Sequence, residues 1–260
     1  MLISMAVYST ESNGRAWMTV KTLDSLARTV DWERHRLVVI DNGSCKKVFE
    51  YYRRFEKIFP FYLIVSERNV GTARAVNKGW ALREPGEHCV KMDDDVVFHQ
   101  PEWADWIEDV FERDPQIGIC GLKRNDLDES PFAEGSMQST LRMLPHEKGQ
   151  RWLVVEEVES VIGTCQGYSS ALLDVIGYLT QPGVYGFDDS LSAVRAKVCG
   201  FKSAFLCGFE IDHIDPGGTP YTTWKRQVAD TYFPDFRTKA LLYESGVLLP
   251  KCDVEGRPTC

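Results

Sequence analysis

Short apolar runs alternate with helix-periodic segments through the first half of the chain, and that alternation restricts the fold more than any other feature. Leu2–Tyr8, Arg36–Ile40, Phe61–Val65, Cys89–Met92 and Ile117–Leu122 read as strands. Between the first two, Trp17, Val20, Leu23, Leu26, Ala27 and Val30 recur at helical spacing. Val48–Phe59, Gly71–Leu82 and Pro101–Arg113 read as further helices, the last opening on a proline. Strands and helices in this order predict an α/β fold with a mainly parallel central sheet flanked by helices. Such sheets bind ligands outside the carboxyl ends of their strands. Tyr8-Ser9-Thr10, Asp41-Asn42, Ser66-Glu67-Arg68 and Asp93-Asp94-Asp95 each follow a strand, so they are expected along one edge.

The second half has a different texture. Asn125–Gln150 is polar, weakly periodic and reads as a long loop or lid. Arg151–Ser160, Val161–Gln166 and Lys202–Leu206 read as strands, and Phe187–Cys199 as a helix. Gly167-Tyr168-Ser169-Ser170 precedes a helix ending at Ile176, and Thr222–Ser245 holds a helix or two. With no internal repeat or low-complexity linker, one domain over residues 1–246 is expected. Its first half is 1–123, its second 124–246, and 247–260 forms an irregular tail.

The aspartate triplet is the sharpest chemical signal. Three adjacent carboxylates at the end of a buried strand repel one another and lose hydration, so they call for protonation or a cation. Asp93 and Asp95 occupy alternate positions and point to one side of an extended chain. Hard oxygen ligands of this kind suit Mg²⁺ or Mn²⁺, which take their remaining ligands from water and substrate phosphates. A metal site for a diphosphate-bearing substrate competes here with a solvated acidic turn.

Composition narrows the field. Hydrophobic residues make up 43% of the 260 and charged residues 26%, as expected of a soluble globular protein. A net charge of −8 weighs against a strong non-specific hold on nucleic acid, which needs a basic face. The N-terminal stretch lacks a basic region and a long apolar core, and no run approaches the roughly 18 apolar residues of a membrane span. The eight cysteines show no zinc-like spacing, which favours a cytoplasmic, reducing setting; Cys252 and Cys260 are the two placed to pair or react.

Five motifs in chain order resemble the GT-A fold glycosyltransferases, most closely the large inverting group known as family 2. They are Tyr8-Ser9-Thr10, Val38–Ser44, Asn69–Gly79, Asp93–Asp95 and Phe187–Leu191 with Arg195, and the resemblance covers roughly residues 2–215. It implies a nucleotide-sugar donor, a UDP-sugar first among them, held by Tyr8, Ser9, Thr10, Asp41, Asn42, Arg74, Asn77 and Asp94. It also implies Mn²⁺ or Mg²⁺ on a DxD motif, with Asp93 and Asp95 as ligands and His213 as a third protein ligand. Asp189 aligns with the family's general base and Asp188 with the acid before it, although the family usually has Glu at that first acid. Gly167 falls where the family is glycine-rich for close approach to the donor.

Each assignment has a structural competitor. Asp41 could cap the turn at Asn42-Gly43, Arg74 could be a helix-face arginine, and Asp188 and Asp189 could simply favour a helix N-terminus. His213 could be a strand-end histidine bonded to a carboxylate, with Asp212 and Asp215 as partners orienting its ring. Trp224, Lys225 and Arg226 are candidates for diphosphate contacts from a lid. Two alternatives keep the fold: a sugar-phosphate nucleotidyltransferase, disfavoured by the single glycine and single base of Ser9–Arg15, and a non-catalytic nucleotide- or sugar-binding module. The acceptor is a glycan, a protein or a hydroxylated DNA base, the last through a groove lined by Lys123, Arg124, Arg142, His146, Lys148 and Arg151; no integral membrane contact is expected.

Overall fold

In a computed structural model of the chain, Leu2, Ile3, Met5 and Val7 lose all solvent contact in the first strand. Burial of such side chains stabilises by about 1.5–3 kcal/mol each, so this strand sits at the centre of a sheet rather than at its edge. The structure describes residues 1–127, 139–145, 147 and 150–259. Expectations placed on His146, Lys148, Cys260 and most of the 125–150 loop lie outside the described residues.

In chain order the first half runs β1 (Leu2–Val7), α1 (Ala16–Thr29), β2 (Arg36–Asp41), α2 (Lys46–Phe55), β3 (Tyr62–Val65), α3 (Thr72–Trp80), β4 (Cys89–Met92), β5 (Val96–Phe98), α4 (Trp103–Arg113) and β6 (Ile117–Arg124). The second half adds β7 (Thr140–Met143), β8 (Val154–Val158), β9 (Cys165–Tyr168), α5 (Ser170–Ile176), α6 (Asp188–Val198), β10 (Lys202–His213) and α7 (Pro220–Glu244). The sheet order is β3-β2-β1-β4-β9-β6-β10-β8-β7, with β5 on β10. β1 pairs in parallel with β2 and β4, and β2 with β3. β9 lies antiparallel between β4 and β6, and β10 is parallel to β6 but antiparallel to β8 and β5. Most strands therefore run the same way, as expected; the reversed ones are β5 at the end of the first half and β8 and β9 in the second.

Alternation along β1 divides the core. Ile3, Met5 and Val7 pack with Leu23 and Leu26 of α1 and Ile107 of α4, while Leu2 packs with Val76 of α3 and Leu172 of α5. Helices thus cover both faces, as a buried parallel sheet requires.

Two local expectations are corrected. The strand placed at Val161–Gln166 begins at Cys165 and runs through Tyr168, so Gly167 lies inside a strand and not in a turn before a helix. A side chain at Gly167 would meet Ile107 Cγ2 at 2.7 Å and Cys120 O at 3.0 Å, so glycine is needed there for α4 to close on the sheet. The last strand does not stop at Leu206. It shifts register between Leu206 and Glu210, continues to His213, and sets His213 opposite Val96. Residues 220–244 form one helix despite Pro234. The tail is anchored: Cys252 N donates to Ile176 O, Arg195 Nε donates to Pro250 O, and Asn77 Nδ2 donates to Val254 O. No helix among the described residues is long and apolar enough to cross a membrane.

Candidate active site

The carboxyl ends of β1, β2 and β4 open onto a cavity of about 720 Å³, walled on another side by the first turn of α6 and the N-terminal half of α7. Of the residues expected there, Tyr8, Asn42, Asp93, Asp94, Asp95, Asp188, Asp189 and His213 line it. The triplet is pinned on two sides: Asp93 N donates to Thr164 O just before β9, and Ile214 N, just past β10, donates to Asp95 O. The β10 extension brings His213 Nε2 to 3.4 Å from Asp95 Oδ2. One ligand atom each from Asp95, His213 and Asp215 lie within 4.8 Å of one another. Asp93, expected as a ligand, is not in that group, while Asp215, expected only as a supporting partner, is. Asp212 turns away to His99 Nε2 at 2.8 Å and so does not orient the His213 ring.

The three carboxylates are pushed in different directions. Burial raises Asp93 to about 7, with Lys91 opposing and Asp95 adding to the rise. Burial likewise raises Asp94 to about 6 against the pull of Arg15. Asp94 is turned toward α1, where it accepts from Thr19 Oγ1 at 2.9 Å. For Asp95, burial pushes up, but His213, Arg15 and Lys225 outweigh it and hold the carboxyl below the usual range.

Two cations missing from the sequence-based site carry this balance. Arg15 bonds Asp95 and Asp215. Lys91, a lysine inside the apolar strand β4, sits 2.6 Å from Asp188 Oδ2 with both side chains buried. A charge in a buried strand was the visible signal for Lys91, and a lone base in the polar loop after β1 the signal for Arg15.

At the mouth of α6, Asp189 Oδ1 accepts from Ser190 N at 2.7 Å and Oδ2 accepts from Gly163 N at 3.1 Å. Burial and then the Asp188 charge raise the Asp189 carboxyl, with Lys91 only partly offsetting them. A side chain at Gly163 would meet Lys91 Nζ at 2.9 Å and Asp189 Oδ2 at 3.1 Å, so glycine leaves room for the pair. The opposite wall is aromatic: Tyr221 stacks on Trp224 with centroids 5.4 Å apart, and Lys225 Nζ lies 5.0 Å over Tyr221 and 3.3 Å from Asp215.

Other expected residues have structural work. Asp41 is fully buried, accepting from Tyr52 OH at 2.9 Å and Ser44 N at 2.8 Å, which is the turn-capping alternative. Ser9 is buried and Thr10 N donates to Asn13 Oδ1, organising the loop that leads to Arg15. Asn77 is fully buried: Nδ2 donates to Leu179 O and Val254 O, and Oδ1 accepts from Leu179 N. Arg74 is exposed and faces a separate cavity of about 370 Å³ with Lys239, Glu255 and Arg257.

The family model for Glycosyl transferase family 2 matches residues 15–177, more than half of the chain. The chain belongs to that family. None of the curated proteins matches it in sequence. Among solved structures, this family 2 glycosyltransferase is similar to the mannosyltransferase PcManGT from Pyrobaculum calidifontis, at 16% identity and a TM-score of 0.61 over 95% of this chain and 74% of that one. It is similar to S. aureus TarS at 17% identity and TM-score 0.56, over 81% and 60% of the two chains. It also resembles GalNAc-T7 at 12% identity and TM-score 0.58, over 93% and 52%. The chain thus spans less than two thirds of TarS and GalNAc-T7, and at these identities the likeness is one of fold. The family match ends at Gly177, before Asp188, Asp189, His213 and Asp215, so their assignment in this glycosyltransferase rests on geometry.

Proposed function

We propose that the chain is a divalent-metal-dependent, inverting glycosyltransferase that moves a sugar from a nucleoside-diphosphate sugar, a UDP-sugar first among candidates, to an acceptor hydroxyl. The observation that carries this reading is that a possible ligand set and a base with a raised pKa line one cavity at the strand ends of the family's fold. Two carboxylates and an imidazole are a donor set that suits Mn²⁺, and Asp95 Oδ1 is buried with no hydrogen-bond partner, an acceptor left open to an ion. Asp95, His213 and Asp215 would hold it, and Mn²⁺ or Mg²⁺ there would offset charge developing on the departing diphosphate. The described complexes of PcManGT with GDP-Man and Mn²⁺, and of GalNAc-T7 with UDP, GalNAc and Mn²⁺, support the same pairing of nucleotide and metal.

Asp189 is the general base. Asp188 is committed to Lys91, whereas Asp189 faces the cavity with its carboxyl raised, in the direction that makes a carboxylate a better proton acceptor near working pH. As the acceptor oxygen bonds to the anomeric carbon and the bond from that carbon to the diphosphate oxygen breaks, Asp189 takes the hydroxyl proton. Tyr8 and Asn42 line the donor side, Tyr221 and Trp224 offer aromatic faces to base or sugar, and Lys225 can reach the diphosphate. Arg74, Asn77 and Gly167 drop out of the donor site. A glycan, protein or hydroxylated-base acceptor remains open, and a reducing, cytoplasmic setting is proposed from the seven unpaired cysteines among the described residues.

Calorimetry with UDP, GDP, CMP and TDP, with and without Mn²⁺, tests the donor reading. One nucleotide binding only with Mn²⁺, and not to Asp95→Ala, is expected. Absence of binding by all four sinks the reading.

A further inference from the structure

Arg15 stands at the entry to α1 and is only 4% exposed, yet its side chain plays no part in capping that helix. Its guanidinium spans the acids of the site instead. Nη1 donates to Asp215 Oδ2 at 2.6 Å, Nη2 donates to Asp95 Oδ2 at 2.5 Å, and Nη2 lies 3.4 Å from Asp94 Oδ1. Tyr221 holds the group from one side, its ring centre 5.0 Å from the guanidinium carbon.

Two of these three acids, Asp95 and Asp215, are also two of the three groups that converge with His213. A divalent ion bonds carboxylate oxygens at roughly 2.0–2.6 Å. Placed on these carboxylates, even through the open Asp95 Oδ1, it would stand within a few ångströms of the Arg15 charge, both side chains being buried where repulsion is little screened. Lys225, 3.3 Å from Asp215 Oδ2, adds to the same field. Conversely, without a cation at this point the three carboxylates would face one another buried, a costly arrangement.

We propose that Arg15 is a built-in counter-ion of the metal site, occupying Asp95 and Asp215 in the metal-free protein and opposing divalent-ion binding until it releases them. This rests on the reading of Asp95, His213 and Asp215 as metal ligands. Asp94 gives the guanidinium a carboxylate to retain on release, and the donor's diphosphate would give it a second. Metal and donor then bind with positive coupling, because the diphosphate supplies the charge that Arg15 loses.

The test is Mn²⁺ binding to the full chain without nucleotide, followed by the paramagnetic signal of free Mn²⁺, for wild type, Arg15→Gln and Arg15→Lys. Arg15→Gln is expected to bind Mn²⁺ about tenfold tighter or more, and Arg15→Lys, which keeps the charge but loses the fork, to fall between. The melting temperature of Arg15→Gln should be lower than wild type without Mn²⁺ and should gain more on its addition. Equal or weaker binding in Arg15→Gln overturns the proposal, for Arg15 would then be orienting the ligands. If Arg15→Gln does not fold, Arg15→Lys decides: tighter binding than wild type supports competition and equal or weaker binding overturns it. Failure of wild type and both variants to bind Mn²⁺ removes the ligand set itself, and this inference with it.

Discussion

Asp95 and Asp189 sit on the wall of one cavity, yet their surroundings drive their protonation in opposite directions. Both are penalised by burial. Asp95 is met by His213, Arg15 and Lys225, and is held ionised. Asp189 is met first by a second carboxylate, and Lys91, the nearby cation, is already engaged by that carboxylate at 2.6 Å. An acid that keeps its charge is suited to hold a cation, and an acid that resists charge is suited to receive a proton. A shared cavity does not confer a shared role; the partner of each carboxylate does.

Changes at the Asp189 end should produce the largest effect on turnover. Asp189→Asn is expected to lower kcat by about 10²–10⁴ while Mn²⁺-dependent nucleotide binding, read by calorimetry, stays at the wild-type level. A parallel loss of nucleotide binding would place Asp189 in the donor site instead. Lys91→Met tests the cation that separates the two acids, since it leaves Asp188 buried without its partner. A loss of about 3–5 kcal/mol in urea unfolding is expected, and adding Asp188→Asn to Lys91→Met should restore much of it.

The pH profile sharpens the same contrast. Asp189 must be ionised to accept a proton, and its pKa is raised, so kcat/KM should fall as pH drops through a limb above the ordinary carboxylate value. Asp188→Asn removes the second-largest cause of that rise and should move the limb to lower pH. A limb that stays in place would detach Asp189 from it. Smaller effects are expected from residues that the motifs place at the donor but the fold does not. Asn77→Ala should cost about 1–3 kcal/mol of stability by leaving buried backbone groups unpaired, with nucleotide affinity unchanged in the folded protein. Arg74→Ala should change the donor KM by less than about twofold, because the residue is exposed and faces the other cavity.

Much of the first half was readable before the structure. Five strands, the helices between them and the edge where polar groups gather all follow from periodicities of two and 3.6, which are properties of the local backbone. The second half was less readable because its pairing is mostly antiparallel and interrupted. β9 enters between β4 and β6 from later in the chain, and β10 resumes after a register shift to deliver His213. Gly167 and Asn77 show the limit of motif reading in particular. Glycine at 167 answers to Ile107 and Cys120, and the Asn77 amide answers to Leu179 and Val254. Neither set of contacts is visible in the segment that contains the residue.

The alternating α/β order, the acids at the strand ends and the acid pair that opens α6 are legible in local sequence, because each depends on residues within a turn or a strand of one another. Which carboxylate is kept ionised and which has its pKa raised depends on contacts between distant parts of the chain. Arg15 and Asp215 are 200 residues apart and meet at 2.6 Å. Lys91 of β4 meets Asp188 of α6, 97 residues away in the chain, at 2.6 Å. Charge–charge energies and desolvation depend on distance and burial in the folded state, and local sequence encodes neither.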